Sequence, residues 1–596
     1  MATIEGYASA ASAAPGDTVD FHVRSDTAPG HFTMEIDRRG VDDVPLKNAE
    51  GDAFVPGPQD DANLAINGCD WPAVENCRTV ISADWKSGYY VAKLSSNGAS
   101  TEIPFVVRSA TPGTTSKILV KLSDTTTQAY TNWGGRGLYE TPFSPSISFD
   151  RPYSDVQGLY EIYQLQFISW LERNGIATDF CSSLDLHSDP QLLAPYRLLV
   201  SIGHDEYWSL EMRDQAEAFI AGGGNVCFFS GNTCFWQIRL DLGDGRRIMF
   251  CSKESEAGHA PDPERGDPRR VTTEWSKQPV NRPENSLTGV GFRNGAGWWD
   301  PAPINQNRFR GYTVTNASHW VLDGTGLSDG ETFGAGTSVD DAILGYETDA
   351  ALTNGAHPPQ VLGTDGTPKS FVVLASADLS DWASQAGHAT MGIYQRNGIV
   401  FTAGTVNWSG GLNSNGAATP VDRITRNLLD ALSLDRPPQL AVANAGFEDW
   451  SNGLPTGWTL DGAGTVSAQA ADPDASENQM RFTGGGGSFN ASVDASSGET
   501  WIGAPGLTCA ANTTYGVGCW AKSSEPGATI RLQTTDTWTD FATAAHSGSG
   551  EWEYLFAVGR GPGAAAYPAR VKIQVAPGVQ ALFDNVSVTE VPDRPG

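Results

Sequence analysis

Positive charge is scarce in this sequence. Its 39 lysines and arginines face 69 aspartates and glutamates, a formal net charge of −30, and such a field repels nucleic-acid phosphates and anionic membrane surfaces alike. No nucleic acid and no membrane is therefore expected as a partner, and the acidity itself reads first as a solubility device. No uninterrupted run of about 18 apolar residues occurs, so no membrane-spanning helix is expected. The opening MATIEGYASAASAAPGD lacks the basic start and apolar core of a signal peptide, which favours the cytoplasm and leaves secretion open through a leader already removed. Cysteine is sparse as well: the eight residues follow neither a zinc pattern nor a disulfide-dense one. Cys69 with Cys77 and Cys509 with Cys519 could each close a local loop, whereas Cys181, Cys227, Cys234 and Cys251 read as buried thiols. Also missing are a Cys/His catalytic block and His-Glu-Xaa-Xaa-His, which removes two common hydrolase signatures. Gly222-Gly223-Gly224-Asn225 follows a helical pattern and precedes a strand, the reverse of a phosphate-binding order, and reads as a helix C-cap.

What is present is length, glycine, proline and tryptophan. A chain of 596 residues exceeds one hydrophobic core and predicts several domains. The 67 glycines and 35 prolines are aperiodic, as in a protein of many short strands and tight turns. Over residues 1–112 the runs VDFHV, FTMEI, YYVAKL and IPFVV alternate with period two, predicting an antiparallel sandwich; Trp85-Lys86-Ser87-Gly88-Tyr89-Tyr90 resembles the last hairpin of an immunoglobulin-like module. Over residues 113–436 the rhythm changes. SKILVKL, RLLVSIG and NVCFFSG read as buried strands, and GLYEIYQLQFISWLERNG and SLEMRDQAEAFIAGGG as helices, the second capped by Ser209. This alternation predicts a central α/β domain with a mostly parallel sheet, glutamine-amidotransferase/flavodoxin-like, and ligands at the carboxyl ends of its strands. Residues 437–596, after the Pro437-Pro438 step, return to β alternation. Asn444-Ala445-Gly446-Phe447-Glu448, Gly457-Trp458 and Phe583-Asp584-Asn585-Val586 resemble the marks of jelly-roll modules that often bind carbohydrate, implying a glycan and a structural calcium as candidate ligands there.

The central region carries a second resemblance. Tyr130-Thr131-Asn132-Trp133-Gly134-Gly135-Arg136, Phe149-Asp150-Arg151-Pro152-Tyr153, Trp170-Leu171-Glu172-Arg173-Asn174-Gly175 and Gly203-His204-Asp205-Glu206-Tyr207-Trp208 come first. Pro283-Glu284, Gly345-Tyr346-Glu347, Gly404-Thr405-Val406-Asn407-Trp408 and Ile424-Thr425-Arg426-Asn427 follow. Blocks in this order resemble the large (beta) subunit family of N,N-dimethylformamidase. The resemblance implies an amidohydrolase acting on small or medium amides through a mononuclear iron held by two tyrosines and a glutamate. It carries over onto Tyr207 and Tyr163, with Tyr160 as alternate, and Glu284 as metal ligands, and onto Glu347, His204 and Glu206 as catalytic groups. It also implies a small partner subunit, and a homo-oligomer is open. The terminal module departs from the family pattern and keeps two other readings in play, a carbohydrate-binding or adhesion protein and a glycan-processing enzyme.

The residue types suit the chemistry. Two phenolates and a carboxylate are hard, negatively charged donors that match ferric iron, and phenols with a pKa near ~10 need a strong Lewis acid to stay ionised at neutral pH. Taken singly, the same residues have plainer roles. His204 to Tyr207 would make an acidic helix-entry loop. Tyr160 and Tyr163, three apart on one helical face, would be core aromatics, and Glu284 a solvated turn residue. Glu347 and Asp349 follow AILGY and would be either a sheet-end carboxylate pair or a turn, and His388 a core histidine.

Overall fold

The computed structural model describes residues 3–591 apart from 27–29, 42, 54–58, 154–160, 244, 257, 300–307, 318, 356–358, 369–370, 397, 413–417, 435–438, 441, 443–449, 463–464, 470–489, 495–499, 512, 547, 549–551 and 562–564. Tyr160, the Pro437-Pro438 step and Asn444 to Glu448 lie outside the described residues. The chain divides into two compact units, Met1–Thr367 with Phe371–Ser433 and Leu434–Gly596 with Pro368–Ser370. Among the described residues it is mostly β, with many sheets and few, short helices, none long and apolar enough to cross a membrane.

The alternating runs at the start of the first unit do become strands. Ser12–Ala13, Ala99–Val107, Gly88–Ser96, His31–Arg38 and Val44–Asp52 form a five-stranded sheet in that order, and Ile4–Ala8 pairs with Phe21–Ser25. The next sheet has nine strands: β1 (Ile118–Lys121), β2 (Asp179–Cys181), β3 (Leu198–His204), β4 (Asn225–Gly231), β5 (Tyr312–Val314), β6 (Thr332–Phe333), β7 (Val372–Leu379), β8 (Gly387–Gln395) and β9 (Ile399–Thr402). Their order is β2-β1-β3-β4-β9-β8-β7-β5-β6. The four ladders from β2 to β9 are parallel, and the four from β9 to β6 are antiparallel.

That division corrects the expectation of a mostly parallel, flavodoxin-like α/β domain. A parallel neighbour needs a long crossover, usually a helix, whereas an antiparallel one needs only a turn. Between β4 and β7 the described chain holds one α-helix, the four-residue Asn285–Thr288, so its later strands return as hairpins. The parallel strands β3 and β4 are buried along their whole length, as apolar runs in a sheet covered on both faces must be. Strand order reverses about β1, which opens a crevice at the carboxyl ends of β1 and β3.

Local signals hold where they are strong. Helix α1 (Asp124–Tyr130) follows β1; α2 (Gln166–Arg173) continues a π turn at Glu161–Leu165; α3 (Leu210–Ala221) starts where Ser209 Oγ accepts from the Met212 amide and stops at Gly222. All eight cysteines are buried and none is in a disulfide, so neither Cys69 with Cys77 nor Cys509 with Cys519 closes a loop.

In the second unit two antiparallel sheets enclose one apolar core, in keeping with a jelly-roll-like module. One contains Thr465–Gln469, Asn490–Asp494, Gln580–Val591, Thr514–Ser523 and Trp552–Arg560, with Gln439–Leu440 on the long last strand. The other has the order β10-β11-β14-β12-β13, from β10 (Thr459–Asp461), β11 (Thr500–Cys509), β12 (Ala528–Thr534), β13 (Asp540–Ala545) and β14 (Tyr567–Val575).

Candidate active site

The crevice is built by two segments that leave the sheet side by side. From β1 the chain turns into α1, whose threonines face inward: Thr125 Oγ1 donates to the Tyr207 carbonyl at 2.8 Å, and Thr126 Oγ1 accepts from the Glu206 amide at 2.9 Å. The end of α1 and the loop after it are gripped by Arg151. Its fully buried guanidinium donates to the carbonyls of Gln128 (3.1 Å), Thr131 (2.9 Å) and Arg136 (2.8 Å). Charge-assisted bonds to three carbonyls fix the backbone that presents Tyr130 and Tyr139.

Past β3, side chains alternate in direction, as on any extended segment. His204 and Glu206 face the phenols. Asp205 between them turns away to a buried ion pair with Lys121 Nζ at 2.7 Å, and its second oxygen accepts from Ser201 Oγ at 2.6 Å. Gly203 sits at φ +74°, where an added Cβ would lie 2.9 Å from Tyr163 Cβ. Gly203→Ala is thus expected to cost about 1–2 kcal/mol from the left-handed backbone and about 1–3 kcal/mol more from overpacking; a melting temperature equal to that of the parent chain would refute this.

Three oxygen-bearing side chains converge at the centre. Tyr130 Oη lies 2.9 Å from Glu206 Oε2 and 3.1 Å from Tyr139 Oη, and Tyr139 Oη lies 3.3 and 3.4 Å from the two Glu206 oxygens. Tyr207 is a fourth such side chain, its Oη 2.6 Å from Tyr139 Oη, and Trp236 Nε1 donates to Glu206 Oε1 at 2.9 Å. Burial, then the Glu206 carboxylate, pushes the Tyr130 and Tyr207 phenols well above their ordinary range, and burial raises Glu206 too. Glu206 and Tyr207 are buried, Tyr130 is half-buried and Tyr139 is exposed, and a nearby cation favours the ionised form of all four. Lys253 is one: buried, with its backbone at φ +48°, it holds Nζ 3.5 Å from the Tyr139 ring centroid and 5.1 Å from that of Trp236. No cluster of three His, Cys, Asp or Glu side chains placed to hold a metal occurs among the described residues. Clustered phenols and a carboxylate fit a hard, highly charged cation.

Beside the oxygens lies a proton-handling pair. Burial alone would depress the His204 imidazolium, but Glu347 Oε2 at 3.0 Å, with Glu206, outweighs it and raises the histidine to about 9. His204 Nε2 also lies 3.2 Å from Tyr130 Oη. Glu347 Oε2 accepts a second bond from Asn232 Nδ2 at 3.2 Å. Asn232 stands at φ +46° on the loop after β4, where Asp349 accepts the amides of Asn232 (3.1 Å) and Thr233 (3.4 Å). Burial lifts Asp349 to about 8.

The structure thus brings His204, Glu206, Tyr207 and Glu347 together, and adds Tyr130, Tyr139, Asn232 and Lys253, which sequence reasoning did not single out as site residues. Tyr130 opens the first family block and could have been found from it; the other three lie in loops without a local signal. Tyr163 stands one layer back: its ring stacks on Tyr346 at 6.1 Å, and Tyr346 meets His204 edge-on at 6.1 Å. Glu284 is elsewhere, against Gly291 and Asn285, buried, with neither oxygen hydrogen-bonded, and burial pushes it up to about 7. The carboxylate among the phenols is Glu206, not Glu284. Glu347 and Asp349 are buried rather than at a sheet end or in a solvated turn; Glu347 makes a single bridge to Gly297, and AILGY forms no strand, with one bridge at Leu344. His388 is exposed on β8 beside Asp378, neither core nor site.

Comparison with known proteins bears on this geometry. The beta subunit of N,N-dimethylformamidase from Paracoccus aminophilus is 24% identical over 337 residues, 51% of this chain and 42% of that protein. The corresponding subunit from an Alcaligenes species is 23% identical over 334 residues, 51% of this chain and 41% of that one. The chain therefore spans about two-fifths of the length of the curated relatives it matches. Among solved structures, a carbohydrate-binding module in complex with β-1,4-galactotriose is 16% identical with a TM-score of 0.19, covering 26% of this chain and 99% of that one. A xylan-binding domain from Paenibacillus barcinonensis is 14% identical with a TM-score of 0.20, covering 27% and 99%. The profile of the family described as "N,N-dimethylformamidase beta subunit-like, C-terminal" matches residues 36–420, well over half of the chain, and the chain belongs to that family.

Proposed function

We propose that this chain hydrolyses the carbon–nitrogen bond of a small or medium amide of the formamide type, using a ferric ion held by Glu206, Tyr130 and Tyr139, with Tyr207 bonded behind Tyr139. The convergence of those three side chains beside the His204–Glu347 pair is the observation that supports this reading. When bound, the metal supplies Lewis acidity that polarises a carbonyl and acidifies water. The protein's own groups supply the rest. Glu347 accepts a proton from the attacking water, His204 holds one at Nε2 for the departing amine, and Asn232 keeps the Glu347 carboxylate turned toward the histidine. Lys253 offsets the negative charge of the phenolates, while Trp236 fixes one Glu206 oxygen. The relatives' printed name, beta subunit, supports a separate partner subunit as well.

Metal analysis with a spectrum tests the proposal. Purified chain is expected to carry roughly one iron with a visible phenolate-to-metal band, and Tyr139→Phe to lose much of that absorbance. Full amide hydrolysis by a preparation without iron, or an unchanged band in the variant, would sink it.

A further inference from the structure

The second unit has a surface that the amide chemistry does not use. On the five-stranded sheet the register places Arg570, Gln533 and Asp540 in one cross-strand row and Gly503, Lys572 and Arg531 in the next. Their strand neighbours Ile502, Val571, Ile573, Ile530 and Leu532 fill the core, so by alternation these rows lie on the outer face. Three of the seven lysines and arginines after residue 436 are gathered here, in a chain otherwise dominated by acid. Arg531 answers Asp540 at 2.6 Å.

Arg570 is held differently. Its guanidinium carbon sits 4.0 Å from the Trp501 ring centroid and 4.4 Å from that of Trp538, and Nε and Nη2 both donate to Gln533 Oε1, at 2.9 and 2.5 Å. Lys572 Nζ lies 5.3 Å from the Trp501 centroid. Gly503 makes room for the indole: a Cβ there would come 2.9 Å from the Trp501 ring. Trp538, in the turn between β12 and β13, is 59% exposed and adopts φ +56°, a backbone state that is a true outlier for so bulky a residue. An indole left in water on a strained backbone, over a guanidinium locked in one orientation, gives the fold nothing that a glycine turn would not give better. Such strain is kept where a site needs it.

The ligand class follows from the chemistry. Indole faces offer flat apolar surface, and Arg570 with Lys572 offers charge to a carboxylate. The row across five strands runs about 19 Å, at 4.7–4.9 Å per strand spacing, which is long and shallow and suits a chain of linked rings better than a compact molecule. We propose that this face, centred on Trp501, Trp538 and Arg570, binds an acidic polysaccharide through its uronate residues. The proposal stands independently of the amidohydrolase reading.

Calorimetric titration of the full chain with tetragalacturonate, its methyl ester and xylotetraose tests it. The charged oligomer is expected to bind at least about tenfold tighter than either neutral one, and to weaken as salt is added. Trp538→Gly removes the ring and relieves the backbone, so it should keep or raise the melting temperature while weakening binding about tenfold or more. Arg570→Gln should abolish the preference for the acid over its ester, and Lys572→Gln should reduce it. Equal affinity for the ester or for xylotetraose, no binding of any oligomer, wild-type affinity in Arg570→Gln, or equal binding of a polyglutamate peptide would each overturn the assignment.

Discussion

Glu347→Gln is expected to lower amide turnover about 10²–10⁴-fold with metal content unchanged, the usual worth of a positioned general base. Glutamine keeps the shape and still accepts from Asn232 Nδ2, so the packing of the buried site survives. What it loses is basicity and the charge 3.0 Å from His204 Nε2. That carboxylate is the main force holding the imidazolium against burial, so the histidine loses its proton at lower pH in the variant and both halves of the pair fail together. Glu206→Gln gives the complementary result: a neutral amide cannot supply the missing ligand charge, and metal and activity are expected to fall in parallel. Metal content and formamide hydrolysis measured on both variants decide the roles. Full turnover in Glu347→Gln, or metal lost from it while Glu206→Gln keeps its metal, would reverse the assignment.

Lys121→Met is expected to destabilise the first unit by about 3–5 kcal/mol, because it strands the Asp205 charge inside the protein. Both side chains of this pair are fully buried. Lys121 also lies 4.9 Å from the Trp208 ring centroid and 3.3 Å from Ser183 Oγ. Asp205 carries the backbone of its two functional neighbours, so the loss of its anchor also disturbs His204 and Glu206. Adding Asp205→Asn removes the stranded charge and should recover much of the stability. Denaturant unfolding of the single and double variants checks this, and a loss below about 1 kcal/mol in Lys121→Met would place the pair among the weakly contributing ones.

Several parts of this protein were written in short stretches of sequence, because the forces that set them act within a few residues. Ser209 caps α3 and Gly222 ends it; the apolar runs at β3 and β4 could be nothing but strands buried on both faces. The position of His204 to Tyr207 at a carboxyl edge followed from the strand before it. His204 and Glu206, named as catalytic groups without Asp205 between them, do share one side of that segment, as alternation along an extended chain requires.

The rest was decided by tertiary structure. Tyr139, Asn232, Lys253 and Glu347 meet across loops that begin on different strands, and nothing local marks a loop residue for a partner 67 or more positions away in the chain, as Tyr139 is from Glu206. The antiparallel half of the sheet escaped for a similar reason: apolar strands read alike in either direction, and only the length of the connection distinguishes them. Sequence determined which segments would be strands, helices and turns, since hydrophobic period and capping are local. The fold alone determined which oxygens would converge on one site, since burial and charge pairing are properties of the packed chain.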